Sequence, residues 1–256
     1  MRSAERAFVA EGLKVVEAAF EAGASVESLY VAPEGAGQAP VEALVRRALD
    51  AGTRVFDLGP GVMEKVADTV TPQPVCAVVA DVRVPLEELA RGGRAGDAGG
   101  QPGGGRLLLV CAGVRDPGNL GALVRSAAAA GAAGVVCCEG TADPLNPKTV
   151  RASAGAVFTL PIAPGGPVAE VMGTMRAEGF RSIGTVARNG VDYAMADLSG
   201  DLAVVLGNEA SGLSEEVLAE LDERVTVPMA RGTESLNVAM TATVLCFEVA
   251  RRRRLP

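Results

Sequence analysis

Short apolar runs and amphipathic helical patterns alternate in the first third of the chain. The strand-like runs are AFVAEG, SLYVA, TRVFDL and PVCAVVADV. Apolar residues recur at helical spacing in GLKVVEAAFEAG, VEALVRRALDAG and the shorter GVMEKVAD. The first two of these helical segments end at Gly23 and Gly52, which are natural helix stops. The pattern predicts a small α/β layer.

The same alternation continues in the rest of the chain, but its strands are apolar throughout. The predicted strands are RLLLVCAG, GVVCCEG, RSIGTVA, LAVVLG and RVTVPM. The predicted helices are GNLGALVRSAAAAGA, NPKTVRASAGA and PVAEVMGTMRAEG. Continuous apolar strands separated by helices indicate a parallel sheet covered on both faces. Ligands of such sheets bind at the carboxyl ends of the strands, so the loops there are the first place to look for chemistry.

A glycine-rich stretch separates the two regions. It reads RGGRAGDAGGQPGGG from Arg91 to Gly105 and has no apolar residue larger than alanine. Burial cannot offset the entropy of ordering such a segment. We therefore predict a first domain over residues 1–82, a flexible linker over residues 83–105 and a second domain over residues 106–256.

The amino-acid composition excludes several kinds of catalytic and metal-binding site. The 256 residues are 48% apolar and include no histidine, which excludes serine and cysteine triads with a histidine base and zinc sites with imidazole ligands. The five cysteines form no C-x-x-C pair, which predicts buried, reduced thiols, a cytoplasmic location and no metal site. The N-terminus has no apolar signal core, and no apolar run reaches the roughly 20 residues that span a bilayer. We expect a soluble protein without a membrane partner.

The first loop with candidate chemistry follows RLLLVCAG. Pro117 and Gly118 predict a turn, and Asn119 is the predicted N-cap of the following helix. Arg125 lies about two turns along that helix, and a helix N-terminus with a nearby arginine can hold a phosphate. On these residues alone, a phosphate site and a capped helix with a surface arginine both remain open.

Two further loops follow later strands. GNEASGLSEEV, after LAVVLG, places Glu209 just beyond a buried strand but lacks the lysine of a P-loop, and no G-x-G-x-x-G occurs. NTPase and dinucleotide-binding functions therefore lose support. In the third loop, Ser235 or Asn237 is predicted to cap the last helix. The four arginines Arg251–Arg254 at the end of that helix either complement its dipole or contact an RNA backbone.

Taken together, the three loops resemble the three motifs of the SpoU (TrmH-like) branch of the SPOUT RNA methyltransferases. The matching strings are DPGNLGALVRSAAAAGA, VVLGNEASGLS and VPMARGTESLNVAMTATVLCFEVARRR. The first region, with RAFVAEGLKVVEAAFEAGASVESLYVAP, is similar to the ribosomal-protein-like substrate-binding domain that often precedes such a catalytic domain. The resemblance implies an α/β fold with a SPOUT-type parallel sheet and a C-terminal trefoil knot, a rare exception to the usual connection rules.

The resemblance also implies S-adenosylmethionine as cofactor, a homodimer with the pocket near the subunit interface, and methylation of a ribose 2′-hydroxyl in RNA. The implied catalytic positions are Asn119, Arg125, Glu209, Ser235 and Asn237. The implied cofactor positions are Thr185, Leu206, Gly207, Val227, Met229 and Leu236. Arginine stays protonated in proteins, so we expect Arg125 to bind phosphate and stabilise the developing alkoxide rather than act as base.

The net charge of −7 requires local basic surface for RNA. The candidates are Arg115, Arg125, Lys148, Arg151, Arg231 and Arg251–Arg254. The two-domain layout resembles rRNA-modifying members of the family, which favours rRNA over tRNA. A tRNA methyltransferase and a non-catalytic RNA-binding assembly factor with the same fold are the alternatives.

Overall fold

The structure is a computed structural model that describes residues 6–67, 71–92, 105–230 and 233–254. Its strands are β1 (Ala7–Glu11), β2 (Val26–Val31), β3 (Arg54–Asp57), β4 (Val75–Ala80), β5 (Leu107–Cys111), β6 (Gly134–Cys137), β7 (Ile162–Pro164), β8 (Arg181–Thr185), β9 (Val191–Asp192), β10 (Leu202–Leu206) and β11 (Glu223–Thr226). Its α-helices are α1 (Leu13–Glu21), α2 (Ala39–Asp50), α3 (Met63–Val66), α4 (Leu86–Arg91), α5 (Pro117–Ala130), α6 (Pro147–Ala152), α7 (Val168–Ala177), α8 (Glu215–Glu220) and α9 (Val238–Arg253).

The first region folds as a four-stranded mixed sheet with the order β1-β4-β2-β3. Strand β4 is antiparallel to β1 and β2, whereas β2 and β3 are parallel. Alternate residues such as Phe8, Ala10 and Leu29 are buried in one core with residues of α1 and α2. The predicted α/β layer is confirmed, and its helices α1 and α2 pack on one face of the sheet.

The second region contains a parallel sheet of seven strands in the order β7-β6-β5-β10-β8-β11-β9. In β5, Leu107 and Leu109 face the layer formed by α5, α6 and α9, whereas Leu108 and Val110 face the layer formed by α4, α7 and α8. The predicted parallel sheet with two covered faces is confirmed. The two strands that the pattern missed, β7 and β9, are only three and two residues long.

The two regions share one hydrophobic core. The rings of Phe8 and Phe158 stack with centroids 5.9 Å apart. Arg151 of α6 donates to the buried Glu11 carboxylate at 2.9 Å. A Cβ atom on Gly155 would lie 2.4 Å from the Cβ of Ala18, so α1 approaches the second region closely. The first sheet is therefore packed against the α5–α6 layer rather than tethered to it.

Part of the predicted flexible linker is helical. Leu89 and Ala90 of α4 are buried, and the Val84 amide donates to the Ile162 carbonyl at 3.0 Å. The prediction of a flexible chain is wrong for these residues, because Leu86, Leu89 and Ala90 have the i, i+3, i+4 spacing of a buried helix face. Residues 93–104 of that predicted linker lie outside the described residues.

All five cysteines are buried and free, as predicted. Burial raises the pKa of the Cys138 and Cys246 thiols to about 12, so these two thiols are protonated at neutral pH. Within the described ranges, no helix is long and apolar enough to cross a membrane, and no cluster of cysteine, aspartate and glutamate could hold a metal ion. The trefoil knot stays a prediction.

Candidate active site

The three candidate loops meet where the strand order of the large sheet reverses. Strands β5 and β10 are neighbours there, with Cys111 in register with Leu206. In an open α/β sheet this reversal opens a crevice at the carboxyl ends of the strands. A cavity of about 340 Å³ lies at this edge, and residues that follow β8, β10 and β11 line it. The position agrees with the expectation from the parallel sheet.

A tight turn after β10 forms one wall of the cavity. The backbones of Asn208 and Gly212 exchange two hydrogen bonds of 3.1 and 2.9 Å, and Gly212 has a φ of +68°. The Asn208 side-chain oxygen accepts from the amides of Ala210 and Ser211. A Cβ atom on Gly207 would lie 2.4 Å from the Gly212 carbonyl carbon, so only glycine fits between the two arms of the turn.

Glu209 joins this turn to the loop after β5. Its carboxylate accepts from the amides of Arg115 and Asp116 at 3.1 Å each and from the side-chain nitrogen of Asn119 at 3.0 Å. Partial burial opposes ionisation of Glu209, but these hydrogen bonds outweigh it and lower the pKa of the carboxyl below its ordinary value. Glu209 is therefore a carboxylate that holds the first loop in place.

The Asn119 side chain links Glu209 to the third loop. Its side-chain oxygen accepts from the Asn237 amide nitrogen at 2.9 Å. The Asn237 side-chain oxygen in turn accepts from the Ala239 amide at 2.9 Å and caps α9. A continuous chain of hydrogen bonds thus links Glu209, Asn119 and Asn237, one residue from each loop.

The predicted N-cap role of Asn119 is wrong. Helix α5 begins at Pro117, and Asp116 is its N-cap, accepting from the Asn119 amide at 2.9 Å. Proline is favoured at the first helical position because its missing N–H needs no partner there, so an aspartate just before it is the natural cap. This leaves the Asn119 side chain available for Glu209 and Asn237.

Arg125 lies apart from this network. It is exposed on α5, and within the described ranges its side chain has no hydrogen-bond or ion-pair partner. It does not line the cavity, and neither do Asn119 and Asn237. Glu209 and Ser235 do line it. Of the five predicted catalytic residues, Glu209 and Ser235 therefore line the cavity, Asn119 and Asn237 are joined to Glu209 by hydrogen bonds, and Arg125 is separate from both groups.

Most of the predicted cofactor residues surround the cavity. Five of the six lie on its wall: Thr185, Gly207, Val227, Met229 and Leu236. The sixth, Leu206, is fully buried, and its carbonyl accepts from the Ala112 amide at 2.8 Å. The wall combines apolar side chains with loop backbone, and its volume lies within the range of small-molecule sites. These features fit S-adenosylmethionine, whose adenine needs an apolar slot and backbone partners.

The predicted basic patch is only partly available. Arg115 and Arg125 are exposed, whereas Lys148 pairs with Asp116 at 3.0 Å and Arg151 pairs with Glu11. Arg231 lies outside the described residues. These contacts reduce the basic surface near the cavity to a few side chains.

The arginines at the end of α9 serve mainly to anchor the helix. Arg252 binds Glu248 and three backbone carbonyls in residues 193–196, at 2.6 to 3.0 Å. Arg253 donates to the carbonyls of Arg106 and Gly200. Arg251 pairs with Glu248 at 2.8 Å. Neither alternative raised by the sequence, dipole complement or RNA contact, included this anchoring.

Three residues of the site escaped the sequence analysis. Asn208 donates to the Gly113 carbonyl at 2.9 Å, and Thr141 bridges the Cys111 carbonyl and the Gly113 amide. The third is the capping Asp116. Only Asp116 left a recognisable signal, since an aspartate directly before Pro-Gly at a strand end predicts a helix start.

Comparison with known proteins agrees with this architecture. The sequence model of the SpoU rRNA Methylase family matches residues 106–247, and that of the MRM3-like substrate binding domain matches residues 1–77. The 23S rRNA (guanosine(2553)-2′-O)-methyltransferase RlmP of Bacillus subtilis is 31% identical over 248 residues, which cover 97% of this chain and 90% of RlmP. The 23S rRNA (guanosine-2′-O-)-methyltransferase RlmB of Vibrio parahaemolyticus is 35% identical over 147 residues, covering 57% and 60% of the two chains.

Two solved structures are similar over nearly the whole chain. The AdoMet-bound rRNA methyltransferase from Sinorhizobium meliloti has a TM-score of 0.81 and 31% identity, with 100% of this chain and 90% of that chain covered. The SpoU methyltransferase AviRb from Streptomyces viridochromogenes, in complex with AdoMet, has a TM-score of 0.81 and 28% identity, with 98% and 92% covered. With the match over residues 106–247 and the loop network at the sheet edge, the chain belongs to the SpoU rRNA methylase family.

Proposed function

We propose that the protein methylates a ribose 2′-hydroxyl of rRNA with S-adenosylmethionine as methyl donor. The observation that carries the proposal is the hydrogen-bond chain from Glu209 through Asn119 to Asn237, beside the cavity that the cofactor residues line. It joins all three family motifs at one sheet edge. A non-catalytic RNA-binding factor would not need these loops fixed around such a cavity.

The cavity would hold the cofactor between the loops after β8, β10 and β11. Thr185, Gly207, Val227, Met229 and Leu236 would surround it. When bound, its sulfonium group supplies an activated methyl carbon with a good leaving group. The residues of this chain would then have to align the ribose oxygen with that carbon, and alignment can lower a barrier by roughly 7–11 kcal/mol at best.

Arg125 would supply the positive charge for the reaction. A guanidinium remains protonated at neutral pH, so it would bind the phosphate next to the target ribose and stabilise the developing alkoxide. The proton would leave through that phosphate or water. Ser235 at the cavity wall would orient the ribose or phosphate, whereas Glu209, Asn119 and Asn237 would hold the loops in register.

A second copy of the chain would complete the site. Leu236, Met240 and Phe247 are 37%, 58% and 44% exposed and lie on one side of α9 and its approach, where α9 packs beside α5. Such an apolar stripe suits a homodimer interface. Arg125 is exposed on α5 and does not line the cavity of its own chain, so we propose that dimerisation carries it to the cavity of the partner.

The relatives support rRNA as the substrate class. RlmP and RlmB are both named as guanosine 2′-O-methyltransferases of 23S rRNA, and the chain aligns with 97% of its length on RlmP. We propose 23S rRNA as the first RNA to test and the bacterial cytoplasm, where ribosomes are assembled, as the location.

The test is calorimetry with S-adenosylmethionine, followed in the same sample by labelled methyl transfer to purified 23S rRNA and to total tRNA. We expect cofactor binding and incorporation into 23S rRNA, with the label at a ribose 2′-oxygen. Incorporation into tRNA alone would identify the tRNA alternative, and no cofactor binding would favour the non-catalytic factor. Light scattering of wild type and Met240→Glu tests the dimer, which the variant should dissociate.

A further inference from the structure

The four-stranded sheet has a second face that α1 and α2 do not cover. Side chains from all four strands point there, and we call them the open face: Val9, Glu11, Tyr30, Phe56, Cys76 and Val78. Tyr30 and Phe56 are cross-strand neighbours whose rings stack with centroids 5.3 Å apart and planes 19° apart. Phe56 is 42% exposed and Val9 is 41% exposed. Because the two rings stack, Phe56 covers one face of the Tyr30 ring.

A cavity of about 510 Å³ lies over this face. Five of the six open-face residues line it, Phe56 being the exception, and its other walls are Leu58, Met63 and Val66 near α3 and Asn146 and Pro147 at the start of α6. This volume exceeds that of the cofactor cavity and lies in the size range of small-molecule sites. The cavity therefore lies between the two regions of the protein. Helix α6 borders it, and Lys148 of the same helix contacts Asp116 in the first loop of the active site.

Charged groups stand at one end of this apolar space. The Glu11 side chain lines the cavity, is only 4% exposed and accepts from Arg151 at 2.9 Å. Arg151 does not line the cavity, so the Glu11 carboxylate is the hydrogen-bond acceptor that this end of the cavity offers to the edge of a polar ring. Lys65 directly precedes the lining residue Val66. Lys148, which pairs with Asp116, directly follows the lining residue Pro147.

We infer that this cavity binds an unpaired nucleobase of the RNA substrate, stacked against Tyr30 on the open face. The inference rests on the proposed RNA methyltransferase function and names a contact outside the cofactor cavity. Sequence-specific RNA recognition relies on bases splayed out of a strand, stacked on aromatic side chains and hydrogen-bonded along their edges. Tyr30 supplies the aromatic surface, the Glu11 carboxylate supplies an acceptor for the base edge, and the exposed Lys65 lies next to the lining residue Val66.

The geometry favours a base over a peptide segment. A strand added by another protein would need an exposed sheet edge, whereas the lining groups here are side chains on the face of the sheet. A base is planar and apolar on its faces and polar on its edges, which matches apolar walls with one charged end. Helix α6 then connects the two sites, because its Arg151 reaches Glu11 and its Lys148 reaches Asp116 at the start of α5.

The sequence provides a direct probe of this contact. The chain has two tyrosines and no tryptophan, so the Tyr193→Phe variant leaves Tyr30 as its one tyrosine. Its fluorescence can be titrated with a single-stranded RNA ten-mer and with an abasic ten-mer of the same backbone charge. We expect saturable quenching by the RNA and none by the abasic strand. Equal responses to the two strands, or no response to either, would overturn the inference.

Kinetics on the full chain give the second measurement. Base stacking on an aromatic ring is lost in Tyr30→Ala, so we expect the KM for rRNA to rise about tenfold while kcat and cofactor affinity stay at the parent values. Tyr30→Phe keeps the ring and should keep the KM. Leu49→Ala, at a 59% exposed position on α2, is the matched control. Phe56 does not line the cavity but stacks on Tyr30, so Phe56→Ala removes the support of that ring and should raise the KM by less than Tyr30→Ala does.

These two measurements separate the inference from the proposed function. Normal methyl transfer with an unchanged KM in Tyr30→Ala would overturn the nucleobase site and leave the enzyme standing. Base-dependent quenching without any methyl transfer by the parent protein would support the site and contradict the proposed function.

Discussion

The two sheets of this protein use their surfaces in different ways. Both faces of the seven-stranded sheet are covered, and every residue of β5 and of β10 is buried. The four-stranded sheet has helices α1 and α2 on one face, and β1 and β2 contain both buried and more exposed residues. A covered sheet leaves only its strand ends for ligands, so its polar residues gather in loops. An open sheet can present a binding surface along its strands.

The two sheets also differ in where they place a carboxylate. In the large sheet, the ionised Glu209 lies beyond the end of β10, at the surface of the crevice. In the small sheet, Glu11 lies within β1 itself, almost fully buried, and it is held by an arginine from the other region. The first arrangement fixes loops around a cavity. The second joins the two regions and places the Glu11 carboxylate beside an apolar cavity.

The largest effect on the reaction rate should come from a substitution of Arg125, on the helix that follows β5 of the covered sheet. We expect Arg125→Ala to slow single-turnover methyl transfer by about 10²–10³-fold, the usual effect of removing one electrostatic contact to a developing charge. The thermal midpoint should not change, because Arg125 is exposed and has no partner in the described part of the chain.

Two further variants sharpen the test of Arg125. Arg125→Lys keeps the charge but loses the bidentate fork, so its rate should lie between those of wild type and Arg125→Ala. Arg46→Ala removes an exposed arginine from α2 of the small-sheet region and should leave the rate unchanged. A near-normal rate for Arg125→Lys would refute bidentate phosphate binding.

The second prediction breaks the link between the two sheets. Arg151→Met keeps the bulk of the side chain but removes the ion-pair partner of the buried Glu11. Removal of one member of a buried pair leaves an uncompensated charge, and we expect a loss of about 3 kcal/mol in the free energy of unfolding. Urea unfolding of the full chain measures it, with the exposed Arg46→Met as control.

The double variant separates charge from packing at this link. Glu11→Gln combined with Arg151→Met removes both charges, so it should recover part of the stability that Arg151→Met loses. A destabilisation of Arg151→Met below about 0.5 kcal/mol, the range of ordinary surface substitutions, would mean that the pair does not join the regions.

The sequence predicted the sheets better than it predicted their connection. Apolar runs such as LLLVC and LAVVL leave few alternatives to buried parallel strands, so their assignment followed from local pattern. Helix α4 was assigned to the flexible linker because the glycine-rich stretch that begins at Arg91 directly follows it. The shared core depends on contacts between distant residues, such as Phe8 with Phe158, which no local pattern encodes.

The site shows the same limit. Loop positions at strand ends were predicted from topology, and the resemblance supplied Glu209, Asn119 and Asn237. The hydrogen-bond chain among them was not predictable, because each partner lies about 90 or more residues from the next. Asn119 also illustrates how local chemistry misleads: it is a good capping residue, but Asp116 and Pro117 together form the better helix start.

The third prediction removes the charge that holds the loops. Glu209→Gln keeps an acceptor for the Asn119 side chain but weakens the hydrogen bonds from the amides of Arg115 and Asp116. Hydrogen bonds to charged groups contribute about 1.5–3 kcal/mol, and exposure places Glu209 at the lower end, so we expect about a tenfold loss in kcat. Asn237→Ala should lower kcat in the same sense, and full activity of both variants would contradict a structural link between the loops.

The smallest effect should be the pH dependence of that same contact. The pKa of Glu209 is lower in the folded protein than its ordinary value of 4.5, because hydrogen bonds to the carboxylate outweigh its partial burial. Its contribution to stability is therefore complete above pH 4.5 and is lost as the pH falls through the lower, folded-state pKa.

Other carboxyls with lowered pKa values, including Asp201 and Glu248, also weaken the fold in acid, so a measurement on wild type alone cannot isolate the contribution of Glu209. The difference in thermal midpoint between wild type and Glu209→Gln removes their shared contribution. We expect that difference to stay constant from pH 7 to about 5.5 and to shrink below 4.5, by an amount that corresponds to less than about 1 kcal/mol in the free energy of unfolding for a solvent-screened group. A difference that grows in acid would mean that Glu209 is protonated in the folded protein and that the loops are held by some other contact.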